Sequence, residues 1–512
     1  MAANTYHSHA LSRGLLDEER RPFGSQPALQ SVLYFMYLPL GLIFAALVAA
    51  LVPSNTTFVF GAIVGGCVGL YMMLDLLFNE PAVRISSLLA MSLLIAYNLG
   101  AVNSWLSVPR ADLTISEAFA RDPAVLANGI AACMAVCAVL LFAGQLWERP
   151  IFGKDFCLQF DIRSFLFVVL STSLILIAFA TGKVGFMGVA VTDEQHISVL
   201  GEMVSWLSAS SLAYSVCAAL NTRGLVRLVV GACSIIQLVA LVPTGRRNFA
   251  FALLLSAIAS RLGRFRLRLS LFGKAVMLGL GIVLIAIASI GFLYLRVAGW
   301  EHKEATSLSA RVQAAEQLLQ TRTISEMTDL LQSNASTRTF EIGYFADLLD
   351  ASQSSTPLLG RGLIRNLKLI VPSSVSKDKF GIEPYQEEGQ VNIQFGFSYM
   401  DEANTILTAG AADFGLVGVF LYPFMIVVLM RTATELVQAY FPTYVATIIA
   451  LAFIFQMLLA EAIVADYLIQ LRNATIFALI LYLVSILPKT KIRETASDGP
   501  LFRDKFQRLI GG

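Results

Sequence analysis

Uninterrupted apolar runs of membrane-spanning length recur along this chain and restrict its fold more than any other feature. A helix needs about 20 such residues to cross about 30 Å of hydrocarbon, where only a helix or a closed barrel satisfies its own backbone polar groups. The runs occupy 31–52, 58–78, 85–102, 125–147, 165–181, 199–220, 225–242, 249–260, 271–295, 405–430, 445–463 and 474–487. Hydrophobic residues make up 56% of the chain and charged residues 14%, a balance that excludes an ordinary large soluble protein. The expected fold is an all-α polytopic membrane protein of about 12 transmembrane helices with one large, partly helical extracytoplasmic loop. The run at 249–260 is short for a crossing unless Arg247 and Arg261 snorkel.

Lys and Arg orient the set. Arg13, Arg20 and Arg21, then Arg84, Arg149, Lys154, Arg223, Arg227, the cluster from Arg261 to Arg268, Arg431 and the C-terminal tail all fall on one side. That side, tails included, holds about twenty cations against about six in the short loops opposite, so the rule of positive inner loops makes it cytoplasmic, with both termini inside. The expected organisation is a tail at 1–30, nine helices over 31–295, an extracytoplasmic segment at 296–402, three helices over 403–487 and a tail at 488–512. Polar residues precede the first run without a small-residue cleavage pattern after it, so the first helix is expected to be retained. The six cysteines lie in spans or in a cytoplasmic loop, which leaves the exported face without a disulfide framework. Cys133 and Cys137 share one helix face, where packing explains them better than a metal, and neither a metal-binding spacing nor a nucleic-acid motif is present.

The segment at 296–402 is far longer than a usual connection, which marks it as a folded element. Leu308, Val312, Ala315 and Leu319 recur at helical spacing, as do Phe340, Tyr344 and Leu348 within 337–350. The second half carries Gly360, Gly362, Pro372, Gly381, Pro384 and Gly389 and reads as irregular structure with turns.

Charged residues gather on the exported side. Arg246 and Arg247 sit in a short Thr-Gly-Arg-Arg-Asn turn where outward loops normally avoid cations, and Arg338, Arg361 and Arg365 lie in the long segment. A guanidinium offers a planar fork of donors suited to phosphate and carboxylate oxygens, and the natural anion at a membrane surface is a lipid-linked diphosphate. The bland alternative is contact with lipid headgroups or neighbouring acids; Arg338 and Glu341, one helical turn apart, could simply pair. Asp401, Glu402 and Asp413 are candidate general bases, since a carboxylate raised in pKa by burial can take a proton from a sugar hydroxyl. Nothing in the sequence chooses among the three.

These residues carry a resemblance. The Thr-Gly-Arg-Arg turn, Leu359-Gly360-Arg361-Gly362, Ile370-Val371-Pro372-Ser373, Asp401-Glu402-Ala403-Asn404 and Asp413-Phe414-Gly415-Leu416-Val417-Gly418 make the chain look like the Wzy-type O-antigen polymerase and oligosaccharide repeat-unit polymerase family. The related O-antigen ligases carry a histidine before the asparagine upstream of that glycine region; Ala403 stands beside Asn404 here, which favours a polymerase. The resemblance implies a metal-independent, cofactor-free glycosyltransferase of the bacterial inner membrane. It would join undecaprenyl-diphosphate-linked oligosaccharides on the periplasmic face, among membrane lipid and alongside a flippase and a chain-length regulator of the same pathway. Arg246 and Arg247 would hold the carrier diphosphate, and Arg338, Arg361, Arg365 and Asn404 would contact sugars. A transporter is the competing class, but such proteins usually show two similar halves, and these halves differ. A non-catalytic assembly subunit is a second alternative, with no need for arginines and an acid converging on one cleft.

Overall fold

The computed structural model describes residues 27–78, 83–102, 122–152, 160, 162–181, 199–242, 246–260, 262, 271–301, 308–323, 325–326, 341–371, 387–397 and 404–486. Every regular element among them is helical. The sixteen α-helices are α1 Pro27–Leu51, α2 Asn55–Phe78, α3 Ile85–Leu93, α4 Pro123–Trp147, α5 Ile162–Ala180, α6 Val199–Asn221, α7 Gly224–Leu241, α8 Arg246–Ala259, α9 Leu271–Glu301, α10 Leu308–Thr321, α11 Glu341–Ser354, α12 Arg361–Ile370, α13 Glu387–Phe395, α14 Ile406–Tyr440, α15 Thr443–Leu458 and α16 Val464–Ile486. A π-helical stretch, Leu94–Leu99, continues α3. Among the described residues, five segments are long and apolar enough to cross a membrane: Asn55–Phe78, Ile85–Val102, Pro123–Trp147, Gly224–Leu241 and Ile406–Tyr440. The chain is thus a multi-pass, all-helical membrane protein.

Close backbone approach and buried polar contacts hold the helices together. In lipid the tails are as apolar as leucine, so small residues and interhelical hydrogen bonds replace the hydrophobic drive. The buried face of α2 accordingly carries Gly61, Ala62, Gly65, Gly66 and Gly69. Between α5, α6 and α7, Gln237 Nε2 donates to Thr172 Oγ1 at 2.7 Å, Ser211 to Ser171 at 2.7 Å and Tyr214 to Ser164 at 2.9 Å.

The long segment departs from its expected layout. Helix α10 forms, but it buries Ala314, Ala315 and Leu318 against Leu293, Tyr294 and Val297 of α9, while Val312 stays 49% exposed. The buried stripe is rotated because its partner is α9, which runs past the expected span end to Glu301. Helix α11 packs against α4, α14 and the π-helical stretch, and Ile342, Tyr344, Phe345, Ala346, Leu348 and Leu349 are all buried. A β-carbon at Gly129 of α4 would come within 2.7 Å of the Ala346 side chain, so glycine there admits α11 into the bundle. Residues 361–370, expected to be irregular, form α12.

One end of the bundle gathers Arg84, Arg149 and Arg431, three of the cations used to orient it, beside a cavity of about 700 Å³ lined by Trp147, Glu148 and Gln438 among others. Glu148 caps α3, accepting from the Ile85 N–H at 2.5 Å and the Ser86 N–H at 3.1 Å. The Arg84 Nε–H donates to the Glu148 carbonyl at 3.1 Å, and the Arg431 guanidinium lies 4.3 Å from the Trp147 ring centroid. Burial raises the Glu148 carboxyl above its ordinary 4.5, against the opposing pull of the Ser86 and Ile85 hydrogen bonds and the Arg431 charge. A carboxyl raised by folding binds its proton more tightly in the native state. Its contribution is therefore fully present below pH 4.5 and is lost as pH rises through the raised value. Glu148→Gln, which keeps one acceptor, is expected to remove that part of the pH dependence; thermal unfolding of both proteins in detergent at pH 5 and pH 7 measures it, and equal pH dependence would contradict the assignment.

Candidate functional site

The site is built around a break in α14. The sequence reads 405–430 as one span, but helical geometry fails at Phe414 (φ −140°, ψ 18°) and Gly415 (φ 58°, ψ −143°). A short buried helix over 406–413 therefore leads into a sharp turn, and the long membrane-spanning part starts at 416. Gly415 supplies the positive φ that a side chain resists. Beyond the turn the two arms lie backbone against backbone, so that a β-carbon on Gly410 would strike the Gly418 carbonyl and one on Gly418 the Gly410 carbonyl. Thr405 opens the short arm with a capping box: its hydroxyl accepts from the N–H groups of Leu407 (3.1 Å) and Thr408 (3.3 Å), while Thr408 Oγ1 accepts from the Thr405 N–H (2.8 Å). The Thr405 hydroxyl also meets the Tyr97 hydroxyl, and the Tyr97 ring stands edge-on to Phe345 of α11.

Breaking a helix frees carbonyls that need donors. The connection between α11 and α12 provides them: Leu358 N–H donates to the Ala412 carbonyl at 2.9 Å and Leu359 N–H to the Asp413 carbonyl at 2.8 Å. In return Asp413 caps α12. Its two oxygens accept from the N–H groups of Gly362 and Leu363, both at 2.9 Å, and Tyr422 donates its hydroxyl to the same carboxylate. A carboxylate on the first turn also complements the helix dipole. The Phe414 ring lies 3.2 Å from where a Gly360 β-carbon would be, and a β-carbon at Gly362 would sit 3.0 Å from the Asp413 oxygens. Leu-Gly-Arg-Gly and Asp-Phe-Gly-Leu-Val-Gly thus close into one interlock. Leu359 takes a positive φ of 52° there, the kind of backbone strain that surrounding contacts must hold in place.

The sequence-predicted residues distribute around this interlock. Asp413 is 1% exposed with both oxygens engaged, the geometry of an anchor for α12. Arg361 stands exposed at the start of α12, whereas Arg365 is 5% exposed and turned with Asn366 toward the bundle. Arg472 of α16 fastens the far end of α12, donating from Nη1 to the Ile370 carbonyl at 2.8 Å. Asn404 is half-buried, directly ahead of the Thr405 cap. Arg246 and Arg247 form the first residues of α8, and their side chains lie outside the described residues. Helix α15 packs against both α8 and α14. Asp401, Glu402 and Arg338 also lie outside the described residues.

Tyr97, Thr405, Tyr422 and Arg472 were not singled out from sequence. Thr405 followed by Thr408 is a local capping signal that could have been found. Tyr422 meets Asp413 only because the chain turns back at Gly415, and nothing in a nine-residue spacing announces that. No protein-family model matches this chain, and no curated protein or solved structure matches it either.

Proposed function

We propose that this chain is a polysaccharide polymerase of the bacterial inner membrane, joining undecaprenyl-diphosphate-linked oligosaccharide repeat units on the periplasmic face, with both termini cytoplasmic. The observation that carries the reading is the interlock of Leu359–Gly362 with Asp413–Gly418, because it makes the two segments that bear the resemblance parts of one platform. In this reading a sugar hydroxyl of one repeat unit attacks the anomeric carbon of another. The bond from that carbon to the carrier diphosphate breaks, and the diphosphate departs with the electron pair. Asp401 or Glu402 takes the hydroxyl proton, since Asp413 is committed to α12. Arg246 and Arg247, which open α8, offset the charge developing on the diphosphate. Arg338, Arg365 and Asn404 contact sugars directly or hold the groups that do.

Removing one preorganised donor of this type costs about 100- to 1000-fold in rate. Arg246→Ala and Arg247→Ala are accordingly expected to leave the protein inserted and abundant while single lipid-linked repeat units accumulate. The test is the polysaccharide banding pattern of a strain deleted for the gene and complemented with wild type or each variant at equal level. An unchanged chain-length distribution on deletion, or repeat units trapped on the cytoplasmic face, would overturn the polymerase reading; the second result would favour a transporter.

A further inference from the structure

Helix α12 is inside out for a helix packed on a protein. Its buried side carries Gly362, Arg365 and Asn366, while Ile364 is 56% exposed, Leu367 48% and Val371, just past its end, 38%. Arg361 and Lys368, both exposed, fall together on one edge of that apolar face at the helical repeat of about 100° per residue. An apolar face bordered by cations is the pattern of a helix lying in a membrane interface.

The attachments of α12 fix its level. Its N-terminus is held by Asp413, immediately before the long arm of α14, and its C-terminal carbonyl is held by Arg472 of α16. The apolar part of that arm, 416–430, is about 22 Å long and ends at Arg431, at the cation-rich end of the bundle, so its first residues lie toward the other boundary of the apolar layer. Arg472 marks the same boundary on α16, as a cation that borders an apolar run beginning at Ala474. Leu416, Val417 and Leu421 are exposed on the long arm at 51%, 70% and 47%, and Leu359, beside the turn, is 68% exposed. Helix α12 packs against both α14 and α16, and α16 likewise exposes Ile476 and Leu479.

We propose that α12 is an interfacial helix that docks the protein on phospholipid, with Ile364, Leu367 and Val371 among the acyl chains and Arg361 and Lys368 on headgroup phosphates. This rests on the membrane fold and not on glycosyl transfer, so it stands or falls separately from the polymerase reading. Asp413 and Arg472 then act as the two fasteners that hold a membrane-seated helix against the bundle.

The experiment uses the full chain with nitroxide labels at I364C, L367C, R361C or K368C, reconstituted in phosphatidylethanolamine/phosphatidylglycerol vesicles, with the unsubstituted chain subtracted for labelling of native cysteines. All four sites are exposed, so the substitutions leave the packed face untouched. Labels at 364 and 367 are expected to collide with oxygen several-fold more often than with a water-soluble nickel chelate, and to lie about 5–10 Å below the phosphates, with 361 and 368 shallower. Ready access of the nickel chelate at 364 and 367 would place the face in water and overturn the proposal. Exclusion of both reagents would overturn it too, by showing that protein covers the face, either a second copy or another part of this chain. Should the labelled chains aggregate, the double variant R361Q/K368Q gives an independent readout: the fraction of motionally restricted spin-labelled phosphatidylglycerol is expected to fall, and an unchanged fraction would count against the proposal.

Discussion

Asp413→Ala is expected to release α12 and cost about 2–5 kcal/mol, since it removes the acceptor of the Gly362 and Leu363 N–H groups and of the Tyr422 hydroxyl, at about 1–3 kcal/mol for each group left unsatisfied. Asp413→Asn keeps one acceptor oxygen but sets an amide N–H against a backbone N–H, so an intermediate loss is expected. Thermal unfolding of the purified chains in detergent measures both, with limited proteolysis around 355–371 as the local readout. The pair also separates two roles for the carboxylate. An anchor tolerates asparagine in proportion to the stability it keeps, whereas a general base loses turnover with asparagine whatever the stability. A D413N chain as stable as wild type that accumulates single repeat units would restore Asp413 to the chemistry.

Gly418→Ala is expected to be as damaging despite adding one methyl. The new β-carbon would overlap the Gly410 carbonyl, and neither backbone can move aside without pulling the Asp413 carbonyl from Leu359 or the Asp413 side chain from α12. Overpacking side chains typically costs about 1–3 kcal/mol, and a clash against backbone in a sharp turn lies at or above the upper end. Gly231→Ala is the matched control: that glycine is in helix α7 with nothing within 4 Å of its would-be β-carbon. Alanine there is expected to be neutral or to stabilise by up to about 1 kcal/mol. Comparable losses at the two positions would show that the approach of the α14 arms is not what makes Gly418 necessary.

The helical class and the positions of most helices were legible from the chain itself. Apolar runs read at 58–78 and 125–147 coincide with α2 and α4, because a run of apolar residues long enough to span hydrocarbon leaves few alternatives to a helix. Hydropathy also marked 405–430 as apolar, but it could not register the reversal at Gly415, since both arms are equally apolar and only φ distinguishes a turn from a helix there. Val312 was assigned to a buried face by spacing alone, and the stripe that packs is set by where α9 stands.

Arg246 and Arg247 stood out in the sequence because cations are unusual in such a turn, and Asp413 because a carboxylate in an apolar run is costly to leave without a role. Which partners Asp413 meets is set by tertiary structure: two of its three donors come from residues about fifty positions away, on a helix whose Gly360 and Gly362 look like turn residues in the sequence. Those glycines are required by the close approach of Phe414 and of the Asp413 carboxylate. Local sequence determines which segments are apolar and which can be helical, because those properties belong to neighbouring residues. Which carboxylate meets which helix end depends on how far the chain travels before it returns, and only the packed structure holds that distance.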